Sequence, residues 1–367
     1  MMSTANPARV AVIGAGLAGA TCARFLADDG HAVHLFDKSR GIGGRMATRR
    51  VEWATDDGIV QKALFDHGAP GFTARSPAFA RFAEQAHRDG LLSRWAPSIA
   101  PRSYVPLGES ALWVPAPDMP SLCRALLGNL PVKLGCTVDA LRHGPGGWCL
   151  ESAGAIVAEG FTDVVVAIPP DQAALLLQPH SPEWAHRARA TTMLPGWTLM
   201  GVTADAHATP DWDLAWPTQG PLSWIVRNDA KPGRERVDGV AHWVAHASAA
   251  WSQTHLESPA AEVQAVLQEA LVRWLGRSLT WRHAAVHRWR YASAPRAEAS
   301  IAAAASAAAT SRCWWDTSLR LGVCGDALGG AGVEGAWISA RAMAAAMTDR
   351  YRTCPAADSN PPEPTTR

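Results

Sequence analysis

Lysine is scarce in this chain. Of its 34 basic residues only Lys38, Lys62, Lys133 and Lys231 are lysines, so a Schiff-base or general-base lysine has few places to stand. Net charge is nearly absent too. Lys plus Arg number 34 against 33 Asp plus Glu, leaving no field to draw the protein to nucleic acid or an anionic membrane surface. No run approaches the roughly 20 apolar residues of a spanning helix. Arg9 ahead of Val10–Leu17 imitates a signal peptide, but the segment leads to Asp28-Asp29 without a cleavage-like site. The seven cysteines (22, 123, 136, 149, 313, 324 and 354) form no C-x-x-C pair. Their odd number and wide scatter exclude a disulfide framework and a zinc site, and predict reduced thiols in a soluble cytoplasmic protein without metal. Cys22 and Cys324 sit in apolar patterns and read as small buried hydrophobes. Tyr (3) and Phe (7) are few beside 17 Trp, a bias that assigns no function by itself. What is present is a core: 48% of 367 residues are apolar and 18% charged, enough for two packed domains or one large one.

Val10–Ile13 is a short apolar strand. It runs into Gly14-Ala15-Gly16-Leu17-Ala18-Gly19, a helical pattern to about Asp29, a closing Gly30, and a second strand from Ala32 to Phe36 that ends at Asp37. A second glycine cluster, Gly41-Ile42-Gly43-Gly44-Arg45, follows at once. Residues 76–113 read as a helix and then loops. Val132–Leu141 and Thr162–Ile168 read as strands, the latter stopped by Pro169-Pro170 and buried on both faces. Period-two segments at 197–202, 222–227, 240–247 and 284–291 predict an antiparallel sheet with one wet face. Among them lies one helix, capped by Ser258, started by Pro259 and ended by Gly276. Residues 296–311 are alanine-rich, a loop or weak helix. Leu321–Asp326 returns to the buried-strand pattern, and Gly332 opens a helix through Met347.

In the first motif Gly14 allows the tight turn, Gly16 admits a pyrophosphate close to the backbone, and Gly19 lets helix and strand pack. The helix N-terminus adds free N–H groups and a partial positive charge. Asp37, 23 residues after Gly14, is placed to accept hydrogen bonds from a ribose diol. A chance glycine-rich turn is the bland alternative, disfavoured by the strand, helix and acid around it. Gly44 and Arg45 add a second turn and a cation for phosphate, where a solvated surface turn is the alternative. Two such turns suit FAD extended across the domain better than NAD. Gly325-Asp326 ends a strand where a carboxylate can hold a flavin's polyol linker. The helix at Gly332-Val333 can aim its positive end at the flavin's pyrimidine edge. Glu334 reads as ordinary helix-end electrostatics.

These ends resemble flavoproteins of the monoamine oxidase and phytoene desaturase type, and the whole chain resembles the renalase family, bacterial renalases most of all. The resemblance rests on Leu35–Gly41, Gly43–Met46, Phe72–Arg75, Trp224–Asn228, His246-Ala247-Ser248 with Trp251-Ser252, Arg288–Ala292, Cys324–Asp326 and Val333–Trp337. It spans roughly residues 10 to 345, and its middle matches are the specific ones. It implies an α/β fold with an α+β insertion: a Rossmann-type FAD-binding domain (8–75, 114–175 and 312–350), an antiparallel-sheet substrate domain (76–113 and 176–311), and a disordered tail (351–367). It also implies non-covalent FAD lined by Ala15, Ala18, Lys38, Gly68, Ala69 and Val138 besides the glycines and acids above. Renalases oxidise 2- and 6-dihydropyridine isomers of NAD(P)H, passing a hydride to flavin and then to O2, with NAD(P)+ and H2O2 as products. The donor becomes aromatic as it loses hydride, so no side chain need remove a proton. Arg227, Asn228, His246, Trp289 and Tyr291 are the implied positioning residues; a satisfied core histidine and core-filling aromatics are the plainer readings. Two departures stand out. Pro70-Gly71 replaces the family's Gln and aromatic, and Pro117-Asp118-Met119 lacks its glycine.

Three alternatives remain open. An amine oxidase would commonly carry a late cysteine for the flavin and two tyrosines around the substrate, and Leu328–Ala331 offers neither. An NADPH-dependent hydroxylase lacks support, since no second dinucleotide fingerprint occurs. A flavin-binding scaffold without turnover is the reading of another class, distinguished by flavin bleaching with a dihydropyridine isomer.

Overall fold

The computed structural model describes residues 7–54, 58–103, 111–204, 210–237, 239–295 and 311–353. β1 (Arg9–Ile13), α1 (Leu17–Asp28) and β2 (Ala32–Phe36) open the chain. The hairpin of β3 (Arg49–Ala54) and β4 (Val60–Phe65) follows, then α2 (Pro77–Arg88), β5 (Leu92–Trp95) and β6 (Leu112–Pro115). Next come α3 (Ser121–Leu127), β7 (Val132–Lys133), a meander of β8 (Ala140–Gly144), β9 (Gly147–Ser152) and β10 (Ala155–Phe161), and β11 (Asp163–Val166). Two helices, α4 (Pro170–Leu177) and α5 (Pro182–Ala190), lead to β12 (Leu194–Ala204), β13 (Leu214–Ala215), β14 (Leu222–Arg227) and β15 (Val240–Ala247). Then α6 (Ala249–Thr254), α7 (Ala260–Leu275) and β16 (Thr280–Ser293) complete the middle. The chain returns through β17 (Trp314–Asp316), β18 (Leu321–Val323), α8 (Asp326–Gly329) and α9 (Gly332–Thr353).

Both ends of the chain build one sheet, ordered β17-β18-β11-β1-β2-β7. Its inner strands are parallel and apolar because helices and a second layer cover both faces. Val10, Val12 and Leu35 pack against α1, α3 and α9 on one side. Ala11, Ile13, Val164 and Val166 pack on the other against Trp148, Leu150 and Phe161 of the meander and against α4. The middle segment forms a five-stranded antiparallel sheet, β13-β14-β15-β12-β16. Alternation divides it cleanly: Trp197, Leu199, Trp243 and Ala245 meet α7, whereas Met200, Val202, Val226 and Val244 meet Val51 and Phe65 of the β3–β4 hairpin.

Several expectations need correction. The antiparallel sheet has no wet face at its centre, since the hairpin and β5–β6 cover the side opposite α7. Residues 92–95 and 112–115 pair as strands rather than loops. The strand expected over 132–141 is broken: Val132–Lys133 forms β7, and strand resumes only at Ala140, the start of β8. Ser258 does not cap α7, because the helix begins one residue later than expected and its N-cap is Pro259, which has no side-chain acceptor to offer. Helix α9 runs to Thr353, past the expected start of the tail, while 354–367 and most of the alanine-rich stretch lie outside the described residues. Among the described residues no helix is long and apolar enough to cross a membrane, and no group of three metal-ligating side chains occurs. Cys22 and Cys324 are buried, and their mutual hydrogen bond, with burial, raises the Cys324 thiol.

Candidate active site

The cradle is built of backbone. Gly14 stands at φ +110°, and a Cβ there would press on the Ala167 carbonyl. A Cβ at Gly19 would strike the Gly14 carbonyl, so helix and strand meet at van der Waals contact only because both residues are glycine. The two glycine turns interlock: Gly43 N–H donates to the Ala15 carbonyl at 3.0 Å, and a Cβ on Gly44 would lie 3.2 Å from the Gly16 Cα. Ala15 and Ala18 are buried beside them, and Gly16 is the N-cap of α1, with no side-chain cap on the helix N–H groups. Asp37 accepts from the N–H groups of Ala15 (2.6 Å) and Ser39 (2.7 Å). Each carboxylate oxygen keeps a second lone pair for a ribose. Lys38 reaches outward to Gln172 at 3.1 Å, and Val138 is buried in the meander-side core.

Arg45 and Asp326 come together. Their bidentate pair (2.6 and 2.8 Å) joins the second glycine turn to the start of α8, with Asp326 buried and the Arg45 side chain 32% exposed. Open space stands where side chains would be at Gly325 and Gly332. Val333 is half-buried at the start of α9, and Glu334 accepts from the backbone N–H of Arg75 and Ser76 at 3.0 and 2.7 Å, tying α9 to α2. The segment Asp66–Ala69 closes the cradle: Ala69 N–H donates to the Arg45 carbonyl at 2.9 Å, and a Cβ on Gly68 would collide with that same carbonyl. Of the two departures, Gly71 lies so close to Leu112 and Val114 that a Cβ would stand 3.3 Å from each. Asp118 accepts from Ser121 N–H, at the first residue of α3, at 3.1 Å.

His67 joins the cradle to the sheet. Its carbonyl accepts from Thr198 Oγ1–H and Trp289 Nε1–H, each at 3.1 Å. Its ring stacks on Trp289 (centroids 5.1 Å) and meets His287 edge-on at 4.8 Å. Trp224, His246, Thr198 and His287 form one row across β14, β15, β12 and β16. Burial, with the nearby positive field of Lys231 and contact with His67, pushes His246 down to about 3. Burial and His287 push His67 down to about 4, and burial also lowers His287. All three rings are therefore neutral at neutral pH. Tyr291 lies half-buried further along β16, on the same parity as Trp289.

Arg227 and Asn228, implied above as positioning residues, do not join this group, because their side chains are engaged elsewhere. Arg227 pairs with Trp243 in register and lies over its ring at 5.4 Å, on the α7 side of the sheet. Its guanidinium is spent on Asp229 (2.7 and 3.1 Å). The Asn228 amide staples backbone, donating to Leu64 O at 2.9 Å and accepting from Asp66 N–H at 3.2 Å.

Sequence reading missed a sealed ionic node directly beneath. Asp66 meets Lys231 at 3.1 Å and Arg234 at 2.7 Å, with side chains 1%, 0% and 4% exposed. Thr48 Oγ1–H donates to Asp66 at 2.6 Å and accepts from Met119 N–H. Burial would raise the Asp66 carboxyl, but Lys231 and Arg234 outweigh it and hold it below its usual range. Burial pulls Lys231 down to about 8 against the attraction of Asp66. The scarcity of lysine was the only signal that could have marked Lys231.

A family model described as an NAD(P)-binding Rossmann-like domain matches residues 12–86. An L-amino-acid oxidase of Crotalus adamanteus is 41% identical over 62 residues, 17% of this chain and 12% of that protein. The chain therefore aligns with only a small fraction of that relative's length. Whole-chain likeness exists in structure. A protein of protoporphyrinogen oxidase type from Exiguobacterium sp. 255-15 superposes with a TM-score of 0.65 at 11% identity, covering 95% of this chain and 100% of that one. A redesigned triple variant of putrescine oxidase does so with a TM-score of 0.63 at 15% identity, covering 94% and 99%. The chain thus has the fold of FAD-dependent amine oxidases and protoporphyrinogen oxidases, with a Rossmann-like dinucleotide-binding domain in its first part. The residues present fit a dinucleotide such as FAD: interlocked glycine turns for a pyrophosphate, spare lone pairs on Asp37 for a ribose, and Asp326 at the strand end.

Proposed function

We propose that the protein is an FAD-dependent oxidoreductase that oxidises dihydropyridine isomers of NAD(P)H in the manner of renalases. The observation that carries this reading is the neutral cluster of His67, His246, His287 and Trp289 over the cradle. Such groups can stack on a flat uncharged ring and hydrogen-bond its substituent, yet histidines held near 3 and 4 are poor proton acceptors at neutral pH. That suits a donor that becomes aromatic by giving up hydride alone. When bound, FAD would accept the hydride, leaving NAD(P)+, and O2 would take up the two electrons as H2O2. This chain's own residues position the ring, exclude water and hold the cofactor. Asp326 would hold the polyol linker, with Arg45 paired to it and turned toward the phosphates, and the positive end of α9 at Gly332-Val333 would favour negative charge on the flavin.

The test is anaerobic stopped-flow reduction. The 2- and 6-dihydropyridine isomers are expected to bleach the flavin quickly, with ordinary NAD(P)H and amines far slower, since a misplacement of about 1 Å costs roughly a hundredfold. Under air, peroxide and NAD(P)+ should appear one-for-one. Acid precipitation should release all the flavin to the supernatant. A second reading, an amine oxidase, is favoured by the structural likeness to putrescine oxidase; faster bleaching by an amine than by either isomer would establish it. A scaffold without turnover would bleach with neither.

A further inference from the structure

The row across the sheet fixes a protonation pattern. Thr198 Oγ1 lies 3.1 Å from the His67 carbonyl and 3.2 Å from His246 Nδ1. A carbonyl only accepts, so when both contacts are hydrogen bonds the single hydroxyl proton goes to His67 O. The hydroxyl oxygen is then left to accept, and His246 must donate to it from Nδ1–H. A neutral imidazole carries one N–H, which leaves His246 Nε2 as a bare lone pair. That atom is sealed from solvent and has no partner among the described residues. Burial together with the Lys231 and His67 fields keeps the ring from protonating instead. Thr198 is itself fully buried, and the His67 carbonyl is fixed from a second side by Trp289 Nε1–H. A buried acceptor without a donor is costly, and it points to a ligand that brings one.

We propose that His246, held as the Nδ1–H tautomer by Thr198 and the His67 carbonyl, is a specificity-determining residue whose Nε2 accepts a hydrogen bond from the substrate's ring substituent. The site then takes a carboxamide-bearing pyridine dinucleotide and rejects its carboxylate counterpart, which offers lone pairs to a lone pair. The proposal rests on the pyridine-nucleotide reading above. It adds what that reading leaves open: which atom of the ring substituent is read, and with what polarity. Thr198 is a positioning residue, acting through His246.

The experiment uses the FAD-loaded protein and the oxidised products. Binding of NAD+ and of its nicotinic-acid counterpart is measured by flavin absorbance perturbation and calorimetry, and the His246 ring nitrogens are read by 15N NMR. NAD+ should bind at least about tenfold more tightly than the acid, as expected for one unpaired buried acceptor. Thr198→Val frees the ring to turn its tautomer over and should narrow that gap, with the NMR pattern shifting toward Nε2–H. His246→Leu should abolish the preference. Equal affinity in the unaltered protein, a preference that survives His246→Leu, or an Nε2–H resonance in the unaltered protein would each overturn the proposal. So would an Nε2 already hydrogen-bonded with FAD alone, which would assign the donor to the cofactor. If neither dinucleotide binds, the pyridine-nucleotide reading fails, while the tautomer measured by NMR still decides the lock separately.

Discussion

Two charged groupings border the same cradle and do opposite work. Arg45–Asp326 is bidentate and short, but the arginine is about a third exposed and stands at the lip of the cradle. Asp66 with Lys231 and Arg234 is sealed. Water or a ligand can take over half of the first pair, so its partners can be redirected without stranding a charge. No solvent reaches the second. Removing one member there leaves the others uncompensated in low dielectric. Similar ion-pair chemistry thus gives an accessible pair, which the proposed function assigns to the cofactor, in one place and a structural pin in the other.

The widest gap between them should appear on truncation. Asp66→Ala strands two buried cations and is expected to cost about 3–5 kcal/mol, seen as a large drop in the urea midpoint or loss of soluble protein. An unchanged midpoint would show the node to be wetter than its burial says. Asp326→Ala should leave folding nearly intact yet lower FAD affinity at least about tenfold, and Asp37→Ala likewise, measured by flavin release on dialysis. Unchanged FAD retention in both would displace the nucleotide from this cradle.

pH sharpens the contrast further. Lys231 is held at about 8 in the folded protein against 10.5 for a free lysine, so the unfolded chain holds the proton more firmly. Its contribution to stability therefore rises as pH climbs from about 8 towards 10.5. His67 and His246, at about 4 and about 3, act at the other end. Unfolded histidine takes up protons near 6.5 first, so stability falls as pH drops from 6.5 through that range. His246→Leu should flatten the acid limb of a urea-midpoint-versus-pH curve; an unaltered slope would mean that the ring is hydrated. The smallest effect is expected at Arg227→Met, which should lower stability modestly and leave flavin reduction rates unchanged, since the residue lies on the α7 side of the sheet.

The cradle was legible because it is a backbone requirement. Close approach at Gly14 and Gly19 can be met by one residue type, at a spacing that local geometry dictates. The sheet strands were legible by alternation, and 197–202, 222–227, 240–247 and 284–291 all fall within it. What could not be read was register. Thr198, His246 and His287 meet only because three strands align at one level, and no local pattern encodes that alignment. Arg227 was misjudged for a related reason. Strand parity aims it at Trp243, and the Asp229 that claims it lies beyond the strand end. The wet face failed because a hairpin far away in sequence covers it.

The interleaving of the chain ends in one sheet has a consequence for synthesis. Gly14 and Asp326 border the same cradle across more than 300 residues of intervening chain. At about 5–20 residues per second a ribosome needs tens of seconds to travel that far. Until β18 emerges, β11 has no partner on one edge, and α1 lacks the cover of α9. The nascent protein is therefore expected to remain flavin-free and susceptible to proteases until β18 and α9 emerge, gaining cofactor and protection together at that point.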